Sequence, residues 1–284
     1  MSDVRINLLA FDDPFLPNQK VGKHMHILVT NDDGVNAPGL LALATELRKV
    51  VEVTVFAPDH NWSASGHVKT LNRPLRAKPV TLADGSPAFA SDGAPSDCVA
   101  LALMGVVEKK IDLVVSGINP NANIGHDVTY SGTVTAAMEA VINGTPGVAV
   151  SLDAPEFHPG PLDFTAAAIA GRRVVETLMQ SPLDPKTLLN VNVPYLDGKS
   201  LKGFRVTRQG QRIYRDELVR REDPRGKPYY WIGGDSPTGV AESGTDFGEL
   251  SEGFVSITPI QLDLTDYQVL EKIKNWKWPT DGTI

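Results

Sequence analysis

Two adjacent carboxylates are the first residues of this sequence that point to chemistry. Asp32 and Asp33 follow the apolar run 27–30, and Gly34 and Pro38 come shortly after them. Like charges side by side repel each other, so the pair is costly unless a neighbouring group compensates for it. Two interpretations are open: the residues form a turn that leads into a helix, or the carboxylates bind a hard divalent cation such as Mg²⁺, Mn²⁺ or Ca²⁺.

Three further segments combine polar residues with glycine in a similar way. They are "APDHNWSASGH" (57–67), "SDGAPSDC" (91–98) and "SGINPNANIGHDVTYSGT" (116–133). Each adjoins a short apolar run that resembles a strand. Because the carboxyl ends of parallel strands lie at one edge of a sheet, we expect all four segments to meet there.

The elements that must position these segments alternate along the chain. Short runs rich in Val, Ile and Leu predict strands, and longer amphipathic stretches predict helices. Strands are predicted at 27–30, 51–57, 112–116, 147–152, 188–193 and 254–260, helices at 38–50, 95–107, 131–143, 164–179 and 265–278, and a β excursion within 67–90. This order indicates an α/β, Rossmann-like three-layer fold with a mostly parallel sheet.

The pattern changes after residue 200. Residues 203–233 alternate around the turn sequence "DPRG" and predict a long antiparallel β-hairpin, whereas 235–252 is predicted to be loop. Nine Lys or Arg and four Asp or Glu lie between residues 202 and 227. An isolated hairpin is marginally stable in water, so we expect this arm to pack on another subunit. The predicted domains are an N-terminal extension (1–24), an α/β catalytic core (25–200) and a C-terminal arm (201–284).

Composition excludes several classes of protein. The 284 residues are 42% hydrophobic and 21% charged, with a net charge of −7, which is typical of a globular protein and unfavourable for binding a nucleic-acid duplex. We find no apolar run long enough for a membrane span and no signal-peptide pattern in the first 24 residues. The single cysteine, Cys98, cannot form an internal disulfide. A cytoplasmic location is therefore expected.

The segments together resemble the SurE family of stationary-phase survival proteins. The blocks "ILVTNDDG", "SASGH", "DGAPSDCV", "DLVVSGIN", "YSGTVTAAMEA" and "FVSITPI" occur in the family's order and spacing over residues 25 to 265. One departure is Asn121, which stands where the family has glycine. Asn tolerates left-handed backbone angles better than most residues do.

The resemblance implies a metal-dependent phosphatase that acts on nucleoside monophosphates. It places the metal ligands at Asp32, Asp33, Ser63 and Asn119, and the catalytic residues at Asp32, Asp33 and Asn123. It implies phosphate or substrate contacts at Asn31, Gly66, Asn123, Ser131, Gly132 and Thr133. The cofactor is expected to be one divalent cation per subunit, Mg²⁺ or Mn²⁺ with Ca²⁺ as a further occupant, because all four ligands are oxygen donors.

The expected reaction is hydrolysis of 5′- and 3′-nucleotides by a metal-activated water, with short polyphosphate as a further substrate. No pattern for a phosphorylated aspartate or cysteine nucleophile is present. Ser131 to Thr133 precede a helix whose N-terminus attracts anions, although Ser131 alone also reads as an ordinary N-cap. His67 and His126 are interpreted as general-acid candidates or, more simply, as hydrogen-bonding loop residues.

Two classes of function stay open at this point. The first is the phosphomonoesterase, assembled as a homodimer or tetramer through an exchanged C-terminal hairpin. The second is a non-catalytic nucleotide-binding or sensing module that uses the same cation. A dinucleotide dehydrogenase is disfavoured because "NDDGVNAPG" lacks the Gly-x-Gly-x-x-Gly pattern.

Overall fold

The computed structural model describes residues 25–196, 198 and 200–278, so the predicted extension 1–24 lies outside the described residues. The strands are β1 (His26–Thr30), β2 (Glu52–Pro58), β3 (Ala77–Thr81), β4 (Pro87–Ser91), β5 (Leu113–Asn119), β6 (Gly147–Asp153), β7 (Thr187–Pro194), β8 (Phe204–Val206), β9 (Arg212–Glu222), β10 (Pro228–Gly239) and β11 (Val255–Gln261). The helices are α1 (Pro38–Leu47), α2 (Pro95–Leu101), α3 (Gly132–Ile142), α4 (Thr165–Gln180), α5 (Asp246–Ser251) and α6 (Tyr267–Ile273).

The described strands form one large sheet and one separate hairpin. The nine-stranded sheet has the order β3-β4-β2-β1-β5-β6-β7-β11-β8, and β10 pairs with β9 alone. Neighbouring strands from β4 to β7 in this order are parallel, whereas β3 and β11 run antiparallel to β4 and β7. The predicted α/β fold with a mostly parallel sheet is confirmed, and a C-terminal hairpin is present.

Helices cover both faces of the sheet, as the sequence of β1 requires. Successive side chains of a strand point to opposite faces. Ile27 and Val29 belong to a buried cluster with Leu43 of α1 and Val174 of α4. Leu28, between them, packs in a second cluster with Val99 of α2. A strand buried on both faces thus joins two hydrophobic cores, and the architecture has three layers.

Several predicted boundaries were wrong in the C-terminal part. The hairpin begins at Arg212, not at residue 203, because β8 instead pairs in parallel with β11 in the main sheet. The segment 235–252, predicted to be loop, continues β10 to Gly239 and contains α5. The closing helix is shorter than predicted, since α6 spans Tyr267–Ile273. The helix predicted at 95–107 changes from α to a π turn after Leu101.

The hairpin exposes several large apolar side chains. The side chains of Leu218, Trp231 and Ile232 are 71%, 62% and 81% exposed. In α6, no residue is buried. Within the described residues, no helix combines the length and the apolar character that crossing a membrane requires. The apolar side chains that the hairpin exposes therefore belong to a two-stranded β-ribbon and not to a helix.

Candidate functional site

The four polar segments meet at one edge of the sheet, as the parallel-strand rule predicts. β1 is flanked by β2 and β5, with Val29 opposite Val55 and Thr30 opposite Ser116. β4 lies on the other side of β2 in the same direction. The segments that follow these four strands therefore leave the sheet at the same end, where a ligand site is expected in an α/β fold.

Asp32 is fixed against the N-terminus of α3. The hydroxyl of Thr133 donates a hydrogen bond of 2.5 Å to Asp32 Oδ1, and the backbone N–H groups of Gly132 and Thr133 also interact with this carboxylate. A Cβ atom at Gly132 would lie 2.7 Å from Asp32 Cβ. Glycine is thus required for this approach, and the helix N-terminus stabilises the carboxylate with its unpaired donors and dipole.

The two carboxylates repel each other in a partly desolvated environment. Asp32 is 3% exposed, and burial raises its pKa although the Thr133 hydrogen bond opposes the shift. Burial, together with the charge of Asp32, raises the pKa of Asp33 from 3.8 to about 7. A divalent cation would offset both the burial and the repulsion.

Asn31 shapes the turn that presents the pair. Its side chain is buried, accepts a hydrogen bond from Gly34 N–H at 3.2 Å and donates one to Gly34 O at 3.1 Å. These bonds close the turn around Asp32 and Asp33. The structure therefore places Asn31 as a support of the carboxylates, and its predicted contact with substrate stays a prediction.

Ser63 is brought beside Asp32 by the backbone. Trp62 N–H donates to Asp32 O at 2.7 Å, and Ser63 N–H donates to Asn61 Oδ1 at 2.7 Å. Ser63 is exposed. The next residue, Ala64, has a φ of 56°, a left-handed conformation that costs energy for a residue other than glycine. The predicted ligand thus lies in a strained turn that is hydrogen-bonded to the backbone of Asp32, and its part in binding a metal stays a prediction.

Asn119 and Asn123 belong to a network at the ends of three strands. Asn119 donates its side-chain N–H to Asn121 O at 2.6 Å, and Asn123 Nδ2 donates to Ser151 Oγ at 2.8 Å. The backbone of Asn123 is held by Asn192 and also accepts from Asn190 Nδ2 at 2.7 Å. These contacts fix the loop after β5 directly above the sheet edge.

The replacement of the family glycine at 121 is accommodated without strain. Ala64 is the one non-glycine residue with a positive φ in the part of the chain described here. Asn121 therefore has ordinary backbone angles, and it contributes its carbonyl oxygen to Asn119.

Ser131 and Gly66 connect the second loop to the start of α3. Ser131 caps the helix, since its Oγ accepts from Val134 N–H at 3.1 Å, which confirms the predicted cap. Gly66 has a φ of 62°, donates N–H to Tyr130 O at 3.0 Å and accepts from Thr135 Oγ1 at 3.0 Å. Both residues hold the site together, and their contact with phosphate stays a prediction.

Other members of the polar segments are engaged with the protein itself. His67 Nε2 lies 2.9 Å from Glu139 Oε2 on α3, in line with its interpretation as a loop member. Asp97 is buried and accepts from Ala94 N–H and Thr70 N–H, each at 2.9 Å. The segment "SDGAPSDC" thus contributes a structural carboxylate, and Cys98 is buried in the core.

One important residue was missed by the sequence interpretation. Asp246 is fully buried and accepts from the backbone N–H groups of Gly125, Gly210 and Phe247 at 2.8, 2.7 and 2.8 Å. It joins the loop before α3 to the root of the hairpin, which is the segment from Gly210 to Tyr214 at the start of β9. A lone Asp in a Gly- and Ser-rich stretch carries no signal for this role, because its partners are as far as 121 residues away in sequence.

The root of the hairpin also contacts this loop through Asp127. Tyr214 O–H donates to Asp127 Oδ1 at 2.5 Å, and Arg212 Nε lies 2.9 Å from Asp127 Oδ2. Asp127 O in turn accepts from Ser131 N–H at 3.1 Å. The strand β9 is thereby connected to the cap of α3 in two steps.

The donor set fits a hard cation. The predicted set of two carboxylates, one hydroxyl and one amide oxygen comes from three loops at the same edge of the sheet, and all are oxygen donors of the kind that Mg²⁺ and Mn²⁺ prefer. The amide nitrogen of Asn119 is already used by Asn121 O, which leaves its oxygen as the group to bind a cation. Among the residues that the structure describes, no three His, Cys, Asp or Glu form a metal-binding group. A site here therefore depends on Ser63 and Asn119 as well as on the aspartates.

These features define an α/β protein with an oxygen-rich ligand site at the carboxyl edge of its parallel sheet. A sequence profile of the family described as "Survival protein SurE" matches residues 27–216, and the chain belongs to the SurE family. A relative from Chloroflexus aggregans, named 5′-nucleotidase SurE, is 54% identical over 254 residues, which are 89% of this chain and 100% of the relative.

Further comparisons agree. The 5′-nucleotidase SurE of Herpetosiphon aurantiacus is 52% identical over 89% of this chain and 99% of its own length. The crystal structure of the SurE protein from Aquifex aeolicus superposes with a TM-score of 0.75 at 41% identity, covering 88% of this chain and 98% of that one. The likeness therefore extends over most of both chains.

Proposed function

We propose that this protein is a metal-dependent 5′-nucleotidase that hydrolyses nucleoside monophosphates to nucleoside and phosphate. The observation that carries the proposal is the buried carboxylate of Asp32 against the N-terminus of α3, with Asp33 next to it at the carboxyl edge of the sheet. The names of the relatives from Chloroflexus and Herpetosiphon give the reaction. The geometry supplies the groups that such a reaction needs.

The cation would be held by Asp32, Asp33, Ser63 and Asn119, with Mg²⁺ or Mn²⁺ as the favoured ions. When bound, it would polarise the phosphate ester and lower the pKa of an attacking water. The protein's own part is to fix the donors in advance. Thr133 orients one oxygen of Asp32, and the Asn31–Gly34 turn fixes the backbone of both aspartates.

The phosphate is proposed to lie beside the first turn of α3, near Ser131, Gly132 and Thr133. In the structure, the anion at this helix end is the carboxylate of Asp32. The positive end of the helix would favour the phosphate, and a cation held by the aspartates would offset the repulsion between the phosphate and Asp32. Asn123 borders the same edge and is proposed to bind the substrate through its side-chain oxygen, since its nitrogen is engaged with Ser151.

The test is phosphate release from AMP with Mn²⁺ or Mg²⁺ in excess. Asp32→Asn and Asp33→Asn should each abolish release, whereas Glu108→Gln, an exposed residue before β5 at the opposite end of the sheet, should leave it unchanged. If the wild type binds AMP in the presence of Mn²⁺ but releases no phosphate from any nucleotide, the protein is a binding module and this proposal fails.

The hairpin is proposed to be exchanged between subunits in a dimer or tetramer. Its strands pair only with each other in the described part of the chain, and Leu218, Trp231 and Ile232 are largely exposed. Burial of such side chains against a partner would stabilise both. Replacement of residues 215–236 by a short Gly-Ser turn keeps the contacts of Tyr214 with Asp127. Gel filtration should then show a smaller assembly, and an unchanged size would remove the assignment.

A cytoplasmic location belongs to the same proposal. The one cysteine is a buried free thiol, as expected for a protein that functions under reducing conditions. Cell fractionation with an antibody against the native protein tests this, and recovery in an extracytoplasmic fraction would contradict it.

A further inference from the structure

A cavity of about 450 Å³ lies directly beside Asp33. Its volume falls in the range of small-molecule sites, roughly 300–1,000 Å³. The lining combines a few polar residues with a mostly apolar wall: Asp33, Gly34, Val35, Asn36, Ala37, Pro38, Gly39, Asp59, Pro120, Leu162 and Phe164. None of the sequence-predicted substrate contacts lies in this lining.

The cavity adjoins the proposed cation site from two sides. Asp33 is part of its wall, and Pro120 directly follows Asn119. A substrate whose phosphate lies at the cation would therefore have the rest of the molecule within reach of this cavity. The position is that of a leaving-group pocket.

Charge makes the cavity unsuitable for the phosphate itself. Asp33 and Asp59 carry carboxylates, and none of the described lining residues is Lys, Arg or His. α1 begins at the cavity with Pro38, which has no N–H to offer an anion. The occupant is instead expected to be uncharged, flat and apolar, with donors that the carboxylates can accept.

The apolar wall is firmly packed. Phe164 is 8% exposed and belongs to the main core, where Leu162 packs against it. A Cβ atom at Gly39 would lie 3.1 Å from Phe164 Cε1 and 2.4 Å from Ile118 O. Glycine thus lets α1 approach the wall closely, and the cavity is preformed.

We propose that this cavity is the nucleoside subsite, with the base against Leu162, Phe164 and Pro120. Asp59 Oδ1 lies 2.5 Å from His60 Nδ1, so Oδ2 is the oxygen proposed to accept from hydroxyl or amino groups of the nucleoside. The inference rests on the proposed nucleotidase function and makes it more specific. The enzyme then selects phosphomonoesters by their nucleoside, and simple sugar phosphates are poor substrates.

The test compares AMP with ribose 5-phosphate, which lacks the base. Leu162→Ser and Phe164→Leu should each lower the ratio of kcat/KM values for the two esters about tenfold, mainly through a higher KM for AMP. Ile169→Ser is the matched control, because Ile169 lies on the neighbouring helix α4, is 38% exposed and is not part of the lining. Thermal unfolding shows whether each variant is folded, and Leu162, which is half-buried, is the safer site. An unchanged ratio in folded Leu162→Ser would overturn the proposal.

Failure of the catalytic proposal can be distinguished from failure of this one. If the wild type hydrolyses neither ester, the nucleotidase function is refuted, and calorimetric titration with adenosine then tests the cavity alone. Binding that is about tenfold weaker in Leu162→Ser than in the wild type and in Ile169→Ser supports the subsite. Equal binding in all three, or none in the wild type, overturns it.

Discussion

The burial of Asp33 and its repulsion by Asp32 predict that the function of this site is costly for stability. Asp33→Asn removes one of the two charges while preserving the size of the side chain. In the presence of EDTA, this variant should be more stable than the wild type at pH 8. The usual expectation for a substitution at a well-packed site is the reverse.

The magnitude follows from the pKa of Asp33, which is raised from 3.8 to about 7. Between these values, the folded protein binds a proton that the unfolded chain does not, so the stability of the wild type falls as the pH rises through that interval and is constant above it. About 1.4 kcal/mol per pK unit gives an upper bound of about 4 kcal/mol at pH 8. Allowing for solvent screening of a side chain that is partly exposed, we expect about 2 kcal/mol.

Thermal unfolding with EDTA measures this difference directly. A gain of about 2 kcal/mol raises the Tm of a chain of this size by about 4–8 °C at pH 8. The gain in stability should be less than half as large at pH 5, since most of the interval from pH 3.8 to about 7 lies above that pH. Glu108→Gln is the control and should leave the Tm unchanged at both pH values. A variant Asp33→Asn that is equally or less stable than the wild type at pH 8 would refute the reasoning.

Three other substitutions test the support of the site. Thr133→Val removes the hydroxyl that donates to Asp32 and should weaken Mn²⁺ binding, measured by calorimetry, by 10- to 100-fold; unchanged affinity would show that this hydrogen bond does not position the carboxylate. Gly132→Ala places a Cβ 2.7 Å from Asp32 Cβ and should reduce kcat for AMP about 100-fold in a folded protein. A near-normal kcat would mean that Asp32 can move without loss of activity. Asp246→Asn leaves three backbone donors with a weaker acceptor and should lower the free energy of unfolding by about 2 kcal/mol, which is measured as a lower Tm. An unaffected Tm would show that Asp246 does not hold the loop before α3 to the hairpin.

The central strands and helices could be predicted because local pattern and burial agree there. β1 and β6 contain the buried apolar runs 27–29 and 148–150, respectively. In α3, Ser131 supplies the capping group that marks the first turn. These signals lie within a few residues of each other, so the sequence alone contains them.

The errors arose where distant contacts determine the structure. β8 reads as part of a hairpin until its pairing with β11, about 50 residues later, is known. The helix α5 has a loop-like composition, and it is held by Thr245 as cap and by the buried contacts of Asp246. Such pairings depend on the whole fold and leave no local pattern.

For the site, the sequence predicted the edge but not the supporting contacts. The rule that parallel strands end together predicted that the loops with Asp32, Ser63 and Asn119 leave the sheet at one edge, and the strand directions agree with this. It could not show that Thr133 fixes Asp32 or that Phe164 lines a cavity beside Asp33. Those facts depend on side-chain packing between elements that are far apart in the chain.

The most direct test of the account is a crystal of this protein soaked in Mn²⁺ and measured at a wavelength where manganese scatters anomalously. The account predicts one anomalous peak per subunit, coordinated by Asp32, Asp33, Ser63 and Asn119. A map without a peak beside the two aspartates, or with manganese bound at other residues only, would contradict it.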